Sequence, residues 1–380
     1  MLLSLFILTA ILFIWISEPI SWNPFGSFEL PETQSVVDSD CAKQLKSNAD
    51  DHVNTAIANK AFMSVSAGTY QEECGMYLAT AGFANKKKQE RPNNKTLYRT
   101  ASIGKPITAV AIMQLVEQEL LDLDVPIQTY LPEFPKKEKG DISVRQLLRH
   151  TSGVRHYHSD LEVLSFTHYD SLIDALNEFK DDPLEFKPGT SFLYTTYGYT
   201  ILGAIIEKVS GKSFAEHMRE NIFLPAGMTD TKFEDSNEQY KNQAKLYINY
   251  KKFFIKSPKT DLSIKYPGGG YLTTARDMLL FGKALLDDKL IKESTFQQMT
   301  SEDNYRGAGT PYGFGWFIFE HERKGKILMH GGSQSGASSE LNLMLDHEVV
   351  TVALSNSFGN NFETQQLVFQ LADEMYDYSK

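Results

Sequence analysis

The sequence predicts an α+β fold: an antiparallel sheet built from both chain ends and flanked by helices, plus a mainly helical lobe between them. Three observations carry this. Near the start, "AFMSVSAG" (61–68) and "GMYLATAGFA" (75–84) read as two strands separated by turn residues. In the last third, "GFGWFIFEH", "GKILMHGG", "SSELNLMLD" and "VVTVALSN" repeat that extended pattern. Between the two ends, apolar residues recur at helical spacing, and a final helix, "ETQQLVFQLADEMY", closes the chain.

Residues 1–20 come first and are nearly all apolar, with no Lys or Arg before Lys43. A spanning helix takes about 17–25 apolar residues, so this run is expected as a hydrophobic leader, a signal peptide or an anchor. It lacks the positive flank of a standard signal and the arginine-rich face of a mitochondrial presequence. The expected location is the secretory pathway, extracellular or signal-anchored at a membrane, with a mitochondrial location as the alternative. Residues 21–40, carrying Pro24, Gly26 and Pro31, read as a linker, which leaves 41–380 as a single domain. Val53, Ala56 and Ile57 predict a helix over 40–60, and "NKKKQERPNNK" predicts a surface loop.

Further along, "VEQELLDLDVPIQTYLPEF" predicts a helix that ends before Pro126. "ISVRQLLRHTSGV" predicts a short helix stopped by Gly153, and "YTTYGYTILGAIIEKVSGKSFAEHMRENIF" two helices joined at Gly211. "YPGGGYLTTARDMLLFGKALL" is a glycine-rich turn running into a helix. The net charge of -10, with no long basic run, excludes nucleic acid as a partner. Cys41 and Cys74 allow one disulfide in a secreted chain and are otherwise small apolar fillers. The sequon Asn94-Lys95-Thr96 has meaning only in the secretory route.

The chemistry centres on "TASIGKPITAVAIMQL", where Ser102 and Lys105 stand three residues apart at a helix start. A serine hydroxyl needs a base before it becomes a useful nucleophile. A lysine one helical turn on can be that base once burial favours its neutral form. The same residues also suit a capping serine beside a solvated lysine. Tyr194, heading Tyr-Thr-Thr with Thr196, can pass a proton to a leaving group; it can equally belong to an aromatic cluster with Phe192, Tyr197 and Tyr199. His330, before Gly331 and Gly332, can hold a substrate or help transfer a proton, or can simply sit in a β-turn.

In that order, Ser-x-x-Lys, Tyr-x-x and a basic residue followed by Gly on a late strand, the chain resembles the serine β-lactamase and penicillin-binding protein family. "ISVRQLLRHTSGVRHY" and "YPGGGYLTTARDM" are similar to further stretches of that family, and the likeness runs from about Asp50 to Tyr376. Within it, the wording is nearest the class C and esterase-like branch and its animal members, described as peptidases that influence lipid metabolism and form filaments. The resemblance implies a β-lactamase/transpeptidase-like fold and a serine hydrolase working through an acyl-enzyme on a small peptide or ester. Ser102 would be acylated, Lys105 would take its proton, and Tyr194 would pass it to the leaving group. His330 would stand where the family usually has lysine, and the N–H groups of Ser102 and Ser333 would form the oxyanion hole beside Gly332. Thr196 replaces the usual asparagine.

Those two departures argue against an antibiotic-degrading enzyme, because a histidine holds a carboxylate weakly near neutral pH. They leave a peptidase or esterase, or a catalytically faded scaffold that binds or polymerises as a homo-oligomer or filament. Gly-x-Ser-x-Gly is not met at Ser333 or Ser335, which excludes an α/β-hydrolase elbow. His150, His156, His158 and Asp160 lack a completing ligand, so no metal and no cofactor is expected. Glu207, Asp277 and Lys283 read as solvated or structural charges.

Overall fold

The computed structural model describes residues 29–301 and 311–378. The apolar leader 1–20 and the first part of the expected linker lie outside the described residues. Seven strands form one antiparallel sheet: β1 (Gln34–Val37), β2 (Ser64–Gln71), β3 (Gly75–Gly82), β4 (Phe317–His321), β5 (Gly325–Gln334), β6 (Ala337–Met344) and β7 (Val349–Ser355). Their order is β1-β3-β2-β7-β6-β5-β4, so the two chain ends meet where β2 pairs with β7. Strand β1 is a correction to the sequence reading. Its polar composition suggests a linker, yet Gln34–Val37 pairs along β3 as a sheet edge.

Each face of the sheet is covered. On one side lie α1 (Asp40–Ala58) and α5 (Asn361–Tyr378), two long helices packed on each other. Leu45, Ala49, Val53 and Ile57 recur every four residues, so they form one stripe. That stripe meets Leu367, Val368, Leu371 and Met375 of α5 and Val65, Ala67 and Ile327 of the strands. Ser39 caps α1, accepting the Ala42 N–H at 2.9 Å. Cys41 and Cys74 are joined, tying the start of α1 to the β2–β3 turn.

The other face carries the larger core and the helical lobe, including α2 (Gly104–Glu117), α3 (Thr196–Ser210) and α4 (Ala275–Leu286). Helix α2 is apolar on every side and almost wholly buried, as a helix running through the middle of a lobe must be. It stops at Glu117 rather than just before Pro126. Gly211 ends α3 in the left-handed conformation at φ 67°, as its place in the sequence predicts. Glu207 holds the N–H groups of Leu172 and Phe214, each at 3.2 Å, and the buried Asp277 binds Thr231 and the Asp230 N–H. Both charges are structural. No described helix is long and apolar enough to cross a membrane.

Candidate active site

The site lies where α2 meets the exposed end of β5. A two-residue strand, Tyr98–Arg99, delivers the chain from a small sheet in which it pairs with Tyr271–Thr273. The buried Arg99 guanidinium donates to both carboxylate oxygens of Glu234, at 2.6 and 2.8 Å, and to the Ser335 carbonyl at 2.7 Å. It thereby joins the strand before Ser102 to the turn after Ser333. Ala101 then turns the backbone sharply, at φ 46°, and Ser102 follows in a single 3₁₀ turn that opens α2. A φ above zero is strained for alanine. The turn is held from outside: the Thr100 N–H donates to the Tyr271 carbonyl at 3.0 Å, and the Thr100 hydroxyl to the Gly269 carbonyl at 3.1 Å.

Three residues on, Lys105 is completely buried, and its Nζ lies 3.1 Å from Ser102 Oγ and 3.3 Å from the Gly268 carbonyl. Thr196 Oγ1 is a longer contact at 3.5 Å. No carboxylate is paired with this lysine among the described residues. Burial lowers its pKa to about 7, with the charge of Lys265 adding to the effect. The amine is therefore neutral often enough near pH 7 to accept a proton.

Tyr194 stands at the end of the segment leading into α3, with Lys105 Nζ 4.8 Å from its ring centre. Burial pushes its phenol up, while the neighbouring Ser102 hydroxyl acts the other way. The phenol therefore enters the site as a proton donor rather than as a ready phenolate. His150 sets its position: Nδ1 accepts the Thr195 N–H at 3.2 Å, and its ring packs 4.4 Å from that of Tyr194. His156 accepts the Thr196 N–H at 3.2 Å and is lowered to about 4 by burial.

His330 reaches the site but brings no charge. Its Nδ1 donates to its neighbour's carbonyl, Gly331 O, at 2.7 Å, and Nε2 accepts the Tyr312 hydroxyl at 3.1 Å. Burial, reinforced by the Lys105 charge, lowers its pKa to about 3. His330 is thus a neutral ring at physiological pH. On the same strand, a Cβ on Gly332 would lie 2.9 Å from the Ser102 nitrogen and 2.8 Å from the Thr100 carbonyl. Only glycine lets strand and helix start approach this closely. β4 pairs with β5 no further than Met329, so residues 330–334, held by β6 on one side, have no strand partner on the other among the described residues, with Ser333 exposed there. The backbone there can meet a carbonyl oxygen held at the Ser102 N–H.

Around these groups runs a cleft of about 680 Å³, lined by Ser102, Tyr194, Thr196, His330 and Ser333 among others. All of the expected site residues except the fully buried Lys105 line it or, like Gly332, shape it. The arrangement brings together a serine hydroxyl, a neutralisable amine at hydrogen-bond distance and a phenol beside an open strand edge. A family model described as Beta-lactamase matches residues 49–374.

The chain belongs to the β-lactamase family. A human relative, "Serine beta-lactamase-like protein LACTB, mitochondrial", is 30% identical over 370 residues, covering 72% of this chain and 67% of the relative. Penicillin-binding protein 4* of Bacillus subtilis (strain 168) is 29% identical, covering 79% of this chain and 69% of its own. Among solved structures, EstCE1, described as a hydrolase with promiscuous acyltransferase activity, superposes with a TM-score of 0.76 at 21% identity, over 89% of this chain and 100% of its own. This β-lactamase-family chain is a serine hydrolase by membership, and its fold is the family's.

Sequence reasoning did not single out Lys265 or Glu340, both of which line the cleft. Lys265 hydrogen-bonds the Val163 carbonyl, and burial lowers it to about 7. It carries a faint signal, directly before "YPGGG"; Glu340 carries none, standing inside an ordinary strand pattern. His150 and His156 do not gather as metal ligands, and no metal-binding group of acidic, His and Cys side chains occurs among the described residues.

The state of Lys105 gives this β-lactamase-family site an expected pH dependence. Below about 7 the amine is protonated and cannot take the serine proton, so acylation falls toward tenfold per pH unit as pH drops. A kcat/KM profile for an uncharged ester should show an acid limb centred near 7. A profile that stays flat down to about pH 5 would mean that another group takes the proton.

Proposed function

We propose that this serine hydrolase forms an acyl-enzyme at Ser102 from an ester or small peptide, and that it is a peptidase or esterase rather than an antibiotic-degrading β-lactamase. The observation that carries this is the 3.1 Å contact between Ser102 Oγ and a fully buried Lys105 amine. In the reaction, Ser102 Oγ attacks the carbonyl carbon while its proton moves to Lys105 Nζ. The carbonyl oxygen takes negative charge between the N–H groups of Ser102 and Ser333. Tyr194 gives its proton to the departing amine or alkoxide and recovers one from Lys105, and water then releases the acyl group by the same steps in reverse. Thr196 and the glycine edge at 331–332 border the substrate. The neutral His330 supports the choice of substrate, since it supplies no cation for the carboxylate of a β-lactam.

The cleft rim carries exposed Val163, Phe319 and Phe362, which suits an apolar acyl or peptide side chain. Together with the resemblance to the animal members, this supports a peptidase role connected to lipid metabolism. The Cys41–Cys74 disulfide favours an oxidising compartment. We read that as the secretory pathway, with the mitochondrial alternative supported by the name of the human relative. Cell fractionation with N-terminal sequencing of the mature chain separates the two and shows whether a leader is removed or kept as an anchor.

A panel of p-nitrophenyl esters and short peptides tests the activity. Turnover should appear in the parent; in Tyr194→Phe it should fall by about 10²–10⁴-fold on the peptides, whose departing amine needs the proton, and much less on the p-nitrophenyl esters, whose phenolate leaves without one. A folded parent that is silent across the whole panel would replace this reading with that of a scaffold that binds or polymerises. Light scattering and electron microscopy would then show whether it assembles into oligomers or filaments.

A further inference from the structure

The cleft does not end at Ser102. On β5, Ile327 belongs to the core beneath the terminal helices, and the period of two puts Met329, Gly331 and Ser333 on that same side. Gly332 faces the opposite side, toward Ser102, and His330 lies with it, its ring 6.1 Å from that of Tyr194. Because β4 stops pairing at Met329, the cleft wraps around the bare strand edge from one face of the sheet to the other. Gly331 keeps the passage open, since its missing Cβ would lie 2.9 Å from Glu340 Oε2.

At the far end of this passage sits Glu340, directly across from Gly331 on β6 and only 2% exposed. It lines the cleft with Met329, Phe319 and Phe362, the last from the first turn of α5. No cation is paired with it among the described residues. Its hydrogen-bond partner is the Asn342 amide, which donates to Oε1 at 3.2 Å in the orientation that satisfies both ends of the amide. A buried carboxyl without a counter-charge is costly, and burial alone raises this one to about 8. Two aromatic rings stand 44% and 72% exposed beside the same cavity. A carboxyl group and aromatic rings lining one cavity are groups that can receive an organic ammonium ion, through a charge-assisted hydrogen bond and cation–π attraction.

We infer that Glu340, with Phe319 and Phe362, forms a subsite for a positively charged amine on the substrate, reached from Ser102 over the Gly331–Gly332 edge. The substrates preferred are then esters or amides that carry an ammonium group on the part lying over β5. This rests on the acyl-transfer reading of the same cleft and adds the class of substrate. In the empty site the buried carboxyl is largely protonated at neutral pH; an arriving ammonium ion lets it release that proton to solvent and supplies the missing counter-charge.

The test compares two p-nitrophenyl esters of equal length, one ending in a primary ammonium group and the other in a methyl group. The parent should prefer the ammonium ester by about ten- to a hundredfold in kcat/KM, as expected for a hydrogen bond to a buried carboxylate. In Glu340→Gln that ratio should fall to about one; because a ratio is read, any general loss of activity cancels. A parent without the preference, or a Glu340→Gln variant that keeps it, overturns the subsite. Calorimetry with benzylammonium and benzyl alcohol needs neither turnover nor a folded variant. The parent should bind the cation and not the alcohol, and equal or absent binding overturns the inference as well. A parent that binds benzylammonium but is never acylated refutes the hydrolase reading and leaves the cation site standing.

Discussion

Ser102→Ala is expected to abolish covalent labelling by a fluorophosphonate probe and to lower turnover of every accepted ester by about 10⁴-fold or more, as loss of a nucleophile does. Ser102 is partly exposed to the cleft, and its hydroxyl lies against Lys105 Nζ at 3.1 Å. Removing the hydroxyl takes away the atom that becomes acylated and leaves the rest of the site intact. Lys105 keeps the Gly268 carbonyl at 3.3 Å as a partner, so the variant should unfold at the same denaturant concentration as the parent. That separates loss of chemistry from loss of structure. If Ser102→Ala is labelled as fast as the parent, the nucleophile is another residue and the mechanism above fails.

The second large effect falls on stability. Gly269 stands beside the turn that presents the nucleophile, at φ 135°, and a Cβ there would lie 1.6 Å from the Ala101 carbonyl oxygen and 2.3 Å from its carbon. Both obstructing atoms are backbone, so no side-chain rotation can relieve the overlap. Either Ala101 or the 266–270 segment must move, and each holds part of the site. Gly269→Ala should therefore cost about 3–5 kcal/mol in urea unfolding, at the upper end for single substitutions. It should reduce hydrolysis in step, because Ser102 is displaced from Lys105. Gly211→Ala is the matched control. Its φ of 67° is also left-handed, but nothing lies within 4 Å of the added carbon, so the expected cost is only about 1 kcal/mol. Equal losses in the two variants would show that the Gly269 contact is not what holds the turn.

Much of the architecture was legible because its signals are local. Helices α1 and α5 each bury a stripe at helical spacing, and the β2–β3 hairpin and the four late strands are short extended runs set off by turn residues; both signals can be read without knowing the partner. Two misreadings have local causes as well. Helix α2 closes with the Leu120 N–H on the Leu115 carbonyl and the Glu119 N–H on the Val116 carbonyl, the usual glycine closure of a helix end. Glu119 occupies the left-handed position at φ 59°, so the glycine that would have marked the stop is missing. Strand β1 has only four residues, alternates exposed with half-buried positions, and is hidden by the Pro-, Ser- and Asp-bearing segment around it.

For the site, the groups present and their order can be read straight off the chain: Ser102 and Lys105 one turn apart, Tyr194 before a helix, and His330 with Gly332 and Ser333 on a late strand. Spacing along the chain is enough for that, because each motif is contained within a few residues. Their protonation states come from contacts made only in the folded chain. Lys105 sits at about 7 and His330 at about 3 because both are desolvated by segments far away in sequence, and each stands near further positive charge. The turn at Ala101 is held by Gly269, more than a hundred and sixty residues later. Glu340 lacks a cation for the same kind of reason: what surrounds a buried charge is chosen by the fold. Periodicity is written in neighbouring residues, whereas desolvation and close approach depend on which distant segments come together.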